Sequence, residues 1–193
     1  MPVVDAVVLA AGASSRAHPV QKLTADLDGR PVIAWVLAAL HGVRDVVVVT
    51  SGDPAVEALL GNHRVARNPR PEDGMSRSLA IGIEALRPGA DAVLQVLGDM
   101  PFVREEDVAA LIAVAGPDRV VVPVHDGERG HPVVWGASFV PFLLALDGAS
   151  ARDVLDGAPH IEDVAIDHDG VLFDVDTPEA LDEARRRVGR RLP

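Results

Sequence analysis

Residues 3–22, VVDAVVLAAGASSRAHPVQK, contain an apolar run that leads directly into a loop of small residues. Residues 3–9 have the length and the apolar character of a buried strand. Residues 10–15 carry little side-chain bulk, so their backbone N–H groups can approach a ligand closely, and Gly12 can adopt dihedral angles closed to other residues. Such amides, followed by hydroxyl groups and positive charges, suit a polyphosphate ligand. The hydroxyl and cationic side chains are those of Ser14, Ser15, Arg16 and Lys22.

The spacing of this loop does not fit the two common phosphate-binding motifs. A dinucleotide fingerprint has Gly at its first, third and sixth positions, whereas Gly12 is followed by Ser14 and Ala17. A P-loop has Gly-Lys five residues after its first Gly, where this chain has Ala17 and His18. The alternative that needs no ligand is a tight turn between a strand and a helix, with a few surface charges.

The composition favours one α/β domain. The chain has 193 residues, of which 48% are hydrophobic and only 3% aromatic, so its core consists of Val, Leu, Ala and Ile, as in a parallel sheet flanked by helices. We predict a single domain over residues 1–193. The sequence has no cysteine, which excludes disulfides and thiolate metal sites.

The charge of the chain limits its partners. A net charge of −11 argues against generic binding to nucleic acid or to an anionic membrane, since both require a basic face. No basic segment precedes the first apolar run, and the longest uncharged helical stretch, residues 31–43, is too short to cross a bilayer. We therefore expect a cytoplasmic protein that binds polyphosphate locally, through selected cations and Mg²⁺, and that binds neither nucleic acid nor membrane.

Strand-like and helix-like segments alternate along the chain, which predicts an α/β fold with a mostly parallel sheet. An Asp-Gly bend is expected within residues 25–31. Strands are predicted at residues 3–9, 45–50, 65–66, 92–97, 119–124, 133–135, 161–166 and 171–175. Helices are predicted at residues 32–40, 53–60, 75–86, 105–115, 139–146, 151–155 and 179–188.

Two acidic segments are predicted to lie beside the opening loop. Ligands of open α/β sheets bind beyond the carboxyl ends of the strands. Asp99 follows the predicted strand 92–97, and Asp176 follows the predicted strand 171–175, so neighbouring strands would bring both carboxylates to one point. Carboxylates completed by water and phosphate oxygens are typical of a Mg²⁺ site. The structural alternative makes Asp99 a turn residue and Asp176 part of a helix cap.

Several segments resemble one family in sequence and in order. LAAGASSR followed by Lys22 resembles the L-A-x-G-x-S-x-R…K signature of small-molecule nucleotidyltransferases. Within them it is similar to the molybdenum cofactor cytidylyltransferase-like group, which is related to molybdopterin-guanine dinucleotide synthases. The resemblance covers nearly the whole chain. The further matching segments are NP (68–69), GMSRSL (74–79), GDMP (98–101), GHP (130–132), GASARDVL (148–155) and DVDTP (174–178).

The resemblance implies a fold and a set of site residues. The fold would be a three-layer αβα Rossmann-like sandwich of the nucleoside-diphospho-sugar transferase type. Arg16, Lys22 and Asp99 would be catalytic, Asp99 would hold the metal together with Asp176, and His131 would contact the acceptor. The nucleotide would be bound by Leu9, Ala10, Ala11, Gly12, Ser14, Ser15, Arg16, Lys22, Asn68, Gly74, Ser76, Ser78 and Asp99.

The expected activity is Mg²⁺-dependent transfer of a nucleotidyl group to a phosphorylated small molecule, with release of pyrophosphate. LAAG rather than LAGG resembles the cytidine-using enzymes, which implies CTP, a molybdopterin-type acceptor and an oxidoreductase that receives the product. One alternative is transfer of a guanylyl or other nucleotidyl group to a different phosphorylated metabolite. Another is a nucleotide-binding cofactor chaperone without activity, because His18 replaces a Gly that is usual in the family loop.

Overall fold

Strands and helices alternate along most of the chain in a computed structural model that describes residues 1–12, 21–146 and 149–189. The strands are β1 (Val4–Ala10), β2 (Asp26–Leu27), β3 (Arg30–Pro31), β4 (Val46–Thr50), β5 (Arg64–Arg67), β6 (Ala92–Leu97), β7 (Val120–His125), β8 (Glu128–Arg129), β9 (Val133–Gly136) and β10 (Ile161–Ala165). The helices are α1 (Val32–Ala38), α2 (Pro54–Glu57), α3 (Met75–Ala85), α4 (Glu105–Ala113), α5 (Val140–Leu144), α6 (Ala151–Asp156) and α7 (Pro178–Gly189). Short 3-10 turns occur at Pro71–Asp73, Ala137–Phe139 and Asp169–Val171.

The main sheet is mostly parallel, and its strand order is β10-β7-β9-β6-β1-β4-β5, with β8 paired to β7. β1 pairs in parallel with β4 on one side and with β6 on the other, and Leu9 lies opposite both Val49 and Leu97. β9 is antiparallel to β6 and β7. The prediction of an α/β fold with a mostly parallel sheet is therefore confirmed. This register brings the carboxyl ends of β1, β4 and β6 to the same edge.

Apolar side chains extend from both faces of the central strands β1 and β6, and nearly all residues of these two strands are buried. Along β1, Val8 points to a core cluster that contains residues of α1 and α4, and Val7 points to a cluster that contains residues of α3 and α5. Both valines are fully buried. A third cluster packs α7 against β2 and Phe102. Helices on both faces give the three-layer sandwich that the sequence resemblance implies.

The predicted strand at residues 171–175 is wrong. After the turn Asp169–Val171 the chain runs on outside the sheet. The Val175 N–H donates to the Asp99 carbonyl oxygen at 2.9 Å, and the Val171 carbonyl accepts from the His131 N–H at 2.9 Å. Val171 and Val175 are fully buried, Val175 in the third cluster rather than between sheet neighbours. Their burial produces the apolar pattern that the sequence analysis interpreted as a strand.

Other predicted elements are confirmed with shifted ends. The Asp-Gly bend is a short hairpin of β2 and β3, in which Asp28 and Gly29 have φ angles of 55° and 75°. The helix predicted at residues 53–60 is shorter, and the one predicted at residues 139–146 begins as a 3-10 turn before α5. α7 begins at Pro178, one residue before the predicted start, with Thr177 Oγ1 accepting from the Ala180 N–H at 3.1 Å.

In the described ranges, none of the helices is both long and apolar enough to cross a membrane.

Gly82 allows α3 to lie close to the sheet, and its replacement tests this packing. A Cβ at Gly82 would lie 2.2 Å from Val7 Cγ1 and 2.9 Å from Val49 Cγ2. Gly82→Ala should therefore lower the free energy of unfolding by about 1–3 kcal/mol through overpacking. This loss exceeds the gain of about 1 kcal/mol in helix propensity. Urea denaturation measures it.

The matched control is Gly42→Ala, because a Cβ at this exposed glycine meets no atom within 4 Å. Equal stability of the two variants would contradict the close approach of α3 to β1 and β4.

Candidate active site

The segment after β1 lies at the carboxyl edge of the sheet and is held close to the end of β6. The Gly98 N–H donates to the Leu9 carbonyl oxygen at 2.9 Å, and a Cβ at Gly98 would lie 3.0 Å from that oxygen. Ala11 is buried, whereas Gly12 is exposed. The predicted phosphate contacts Ser14, Ser15 and Arg16 lie outside the described residues, as does His18.

Lys22 lies between two of the predicted site carboxylates. Its ammonium Nζ donates to Asp176 Oδ1 at 2.5 Å and also to Asp99 Oδ2. The side chains of Lys22 and Asp99 are only 12% and 15% exposed, and that of Asp176 is 37% exposed. The three residues come from distant parts of the sequence, so the fold itself brings them together. The convergence of Asp99 and Asp176 matches the sequence prediction, although Asp176 does not follow a strand.

The electrostatics of this cluster favour a cation. Burial lowers the pKa of Lys22, but the charge of Asp99 and the hydrogen bonds to Asp176 and Asp99 outweigh it, so the net pKa is raised. Asp174 lies beside the cluster, and its pKa is raised by burial and by the negative charges of Asp176 and Asp99. Among the described residues, two carboxylates contact the Lys22 ammonium and that of Asp174 lies beside them, so negative charge is in excess.

The start of α3 forms the other wall of the site. Gly74 has a φ of 98°, a backbone conformation that residues other than glycine rarely adopt. It precedes Met75, the first residue of α3. Asn68 is buried; its Nδ2 donates to Ser78 Oγ at 2.9 Å, and its Oδ1 accepts from the Arg70 N–H at 3.0 Å. Asn68 therefore positions the loop that precedes α3, and it does so from beneath the surface.

The charged cluster opens into a cavity of about 270 Å³. This smaller cavity is lined by the backbone segment at residues 9–12, by Gly74, Met75 and Ser78 at the start of α3, and by the acidic side chains. Six of the residues predicted to bind nucleotide are thus at one place with Lys22 and Asp99. They are Leu9, Ala10, Ala11, Gly12, Gly74 and Ser78.

A larger cavity of about 710 Å³ adjoins the first, and Met75 lines both. His131 and Ser76 line the larger cavity, so Ser76 lies apart from the other predicted nucleotide contacts. His131 Nδ1 is buried and has no hydrogen-bond partner among the described residues. Burial lowers the pKa of His131, and the charge of Asp99 partly opposes this effect. The imidazole is therefore neutral near pH 7.

Sequence reasoning missed two residues of these cavities. Asp174 belongs to the carboxylate cluster, but the pattern DVD did not distinguish it from Asp176. Gln95 lies in the middle of β6 and lines the larger cavity. Its signal is a single amide within the apolar run AVLQVL, which marks a polar group on a buried face.

The fold and the position of the charged residues define an α/β protein of the nucleotide-binding class, with its site at the carboxyl edge of the sheet. Residues 6–164 match the MobA-like NTP transferase domain. The chain belongs to this family of nucleotidyltransferases. The predictions of an enzyme of this type and of a relationship to the molybdopterin-guanine dinucleotide synthases are confirmed.

Two related proteins are named as guanylyltransferases with different substrates. Over 158 residues the chain is 31% identical to a phosphoenolpyruvate guanylyltransferase from Sphaerobacter thermophilus, covering 77% of this chain and 74% of the relative. Over 152 residues it is 32% identical to a molybdenum cofactor guanylyltransferase from Cereibacter sphaeroides, covering 77% of each.

Among solved structures, Rv0371c from Mycobacterium tuberculosis H37Rv superimposes with a TM-score of 0.85 at 22% identity, over 96% of this chain and 98% of that one. Another structure of Rv0371c is a complex with manganese. This likeness supports the fold.

Lys22 is the only lysine in the sequence, which also has no cysteine and no tyrosine, so its titration can be followed alone. Between about pH 9 and pH 11 no other side chain of the chain changes charge. Because the pKa of Lys22 is raised in the folded state, its ion pairs stabilise the protein fully below the ordinary value of 10.5. That stability is lost as the pH rises through the higher folded-state pKa.

We expect the free energy of unfolding of the wild type, measured with urea in the presence of a chelator, to fall above about pH 10.5. The Lys22→Met variant should lack this fall, since its carboxylates are already ionised there. Parallel pH profiles for the two proteins would show that Lys22 is not held between the carboxylates.

Proposed function

We propose that the chain transfers a nucleotidyl group from a nucleoside triphosphate to a phosphorylated small molecule and releases pyrophosphate. The observation that carries this proposal is the pair of adjoining cavities, with the Lys22–Asp99–Asp176 cluster in the smaller one and Met75 between them. The triphosphate would lie in the smaller cavity over residues 9–16, and the acceptor in the larger one near His131. The reacting phosphates would then meet beside the cluster.

The proposed reaction needs no strong base to remove a proton from the attacking group. An oxygen of the acceptor phosphate forms a bond to the α-phosphorus, and the bond from that phosphorus to the bridging oxygen breaks as pyrophosphate leaves. The attacking oxygen is already anionic, so catalysis consists mainly of positioning and charge stabilisation. Lys22 and Arg16 would stabilise the charge that develops on the pyrophosphate. In this step the Lys22 ammonium would move from the carboxylates to the phosphates.

The carboxylates of Asp99 and Asp176 fit a divalent cation. Their oxygens converge on one cationic group, the Lys22 ammonium, and hard oxygen ligands of this kind suit Mg²⁺. The described residues contain no cluster of three or more His, Cys, Asp or Glu arranged for a metal. Two carboxylates are sufficient where substrate phosphates and water complete the shell. When bound, Mg²⁺ would neutralise charge on the phosphates.

The proposed donor is CTP and the proposed acceptor is of the molybdopterin type. The segment LAAG at residues 9–12 and the ending DVDTP at residues 174–178 support this assignment through their resemblance to the cytidine-using group. A second candidate is guanylyl transfer, which is favoured by the names of the two related guanylyltransferases. Both candidates use the same site and differ in the base that residues near α3 would select.

Calorimetric titration with CTP, GTP, ATP and UTP, each with and without Mg²⁺, distinguishes these candidates. We expect Mg²⁺-dependent binding with a preference for CTP. A preference for GTP would favour the guanylyl candidate and keep the chemistry. Binding without release of pyrophosphate in the presence of any acceptor would favour the cofactor chaperone, and a failure to bind any of the four would refute the proposal.

Removal of Asp99 tests the catalytic cluster. Asp99→Ala should lower the rate of pyrophosphate release by at least about 10²–10³-fold, as expected when one electrostatic stabiliser is lost. The control is Asp182→Asn, since Asp182 is exposed and pairs with Arg185 on α7, away from both cavities. Turnover of Asp99→Ala at the wild-type rate would exclude Asp99 as a metal ligand.

A further inference from the structure

The larger cavity has an apolar floor that contains one amide side chain. Val122, Val133 and Trp135 lie on the same face of the sheet, and Gln95 stands opposite Val133 in the pairing of β6 with β9. Gln95 is 3% exposed, so its amide is almost fully withdrawn from water. A buried amide without good partners costs free energy, and its presence in a cavity therefore requires an explanation.

Trp135 fixes the orientation of this amide. The indole Nε1–H can only donate, and it lies 2.9 Å from Gln95 Oε1. The oxygen of the amide is thereby held toward Trp135, and the NH₂ group points the other way. Within the described residues, Gln95 Nε2 donates to Met75 Sδ at 3.8 Å, and a thioether sulfur is a weak acceptor. The NH₂ group thus retains most of its capacity to donate.

His131 supplies a second buried polar group to the same cavity. Its Nδ1 has no partner among the described residues, and it precedes Val133 by two positions on the chain. A ligand that satisfies the Gln95 NH₂ group must present a hydrogen-bond acceptor to the apolar floor of the cavity. At about 710 Å³ the cavity is of the size that encloses a ring-bearing ligand, and a three-carbon acid would leave most of it unfilled.

We infer that Gln95 is a specificity-determining residue that donates a hydrogen bond to a carbonyl oxygen or ring nitrogen of a heterocyclic, phosphorylated acceptor. This inference rests on the proposed function, because it places the acceptor in the larger cavity. The Gln95 NH₂ group would exchange its contact with the Met75 sulfur for the stronger acceptor atom of the ring. Trp135 acts through Gln95 as a positioning residue.

The test measures binding of a pterin ring and of nucleotide separately. The probe is 6-hydroxymethylpterin, whose fluorescence reports binding, with phosphoenolpyruvate as the three-carbon comparison. Gln95→Met removes the donor at similar size and should weaken pterin binding by about 10- to 100-fold while leaving nucleotide affinity unchanged. Trp135→Phe keeps the amide but frees its orientation, and should give a smaller loss.

Two further variants guard against a folding defect. In Gln95→Met the Trp135 N–H loses its acceptor. The double variant Gln95→Met/Trp135→Phe removes both partners, so it should be as stable as the wild type and should bind pterin as weakly as Gln95→Met does. Asp182→Asn, which lies on α7 outside both cavities, is the surface control and should bind pterin as the wild type does.

The outcomes separate this inference from the proposed function. Equal pterin affinity of Gln95→Met and the wild type overturns the role of Gln95. Absence of pterin binding by a protein that binds nucleotide, with or without binding of phosphoenolpyruvate, overturns the heterocyclic class of acceptor. If the wild type bound none of the nucleotides, this result would instead refute the proposed function.

Discussion

The contact of the Lys22 ammonium with Asp99 and Asp176 joins three segments that are far apart in the sequence. Lys22 follows the opening loop, Asp99 follows the central strand β6, and Asp176 precedes α7. Negative charges that converge at a partly buried point repel one another, so the segments can approach only if a cation lies between them. The approach of these three segments, and with it the smaller cavity that they line, depends on this neutralisation.

This constraint bears on how an acidic chain would hold the triphosphate of the proposed function. The net charge of −11 repels phosphates at long range, and the sequence has a single lysine, which lies at the centre of the site. Backbone N–H groups at the start of α3 add donors without adding charge. In the proposed function the attraction for the ligand is therefore local, and we expect it to depend on a divalent cation, because negative charge is in excess around Lys22.

Much of the fold could be predicted from sequence because its strands are short apolar runs separated by helices. The carboxyl-edge rule predicts the position of Asp99 correctly, whereas Asp176 reaches it from a segment outside the sheet. The error at residues 171–175 has the same origin as the successes: burial produces an apolar pattern whether a segment pairs in a sheet or crosses the strand ends. Gln95 could not be assigned in this way, since its environment is built by Trp135 and Met75 from distant elements. The contacts expected of residues 14–16 and the unity of residues 1–193 as one domain stay predictions.

Met75 is the side chain shared by the two cavities, and this has a consequence for the evolution of such proteins. The larger cavity is built by β6, β7, β8, β9, α3 and α6, whereas the smaller cavity is lined by the segment after β1, by the start of α3 and by the carboxylates. Substitutions on β7, β8, β9 and α6 can reshape the larger cavity without changing a residue that lines the smaller one, whereas β6 and α3 contribute to both. Met75 itself is unbranched and flexible, so it adapts readily to changes around it. In a lineage of this architecture, the molecule that enters the larger cavity can therefore change while the lining of the smaller cavity stays the same.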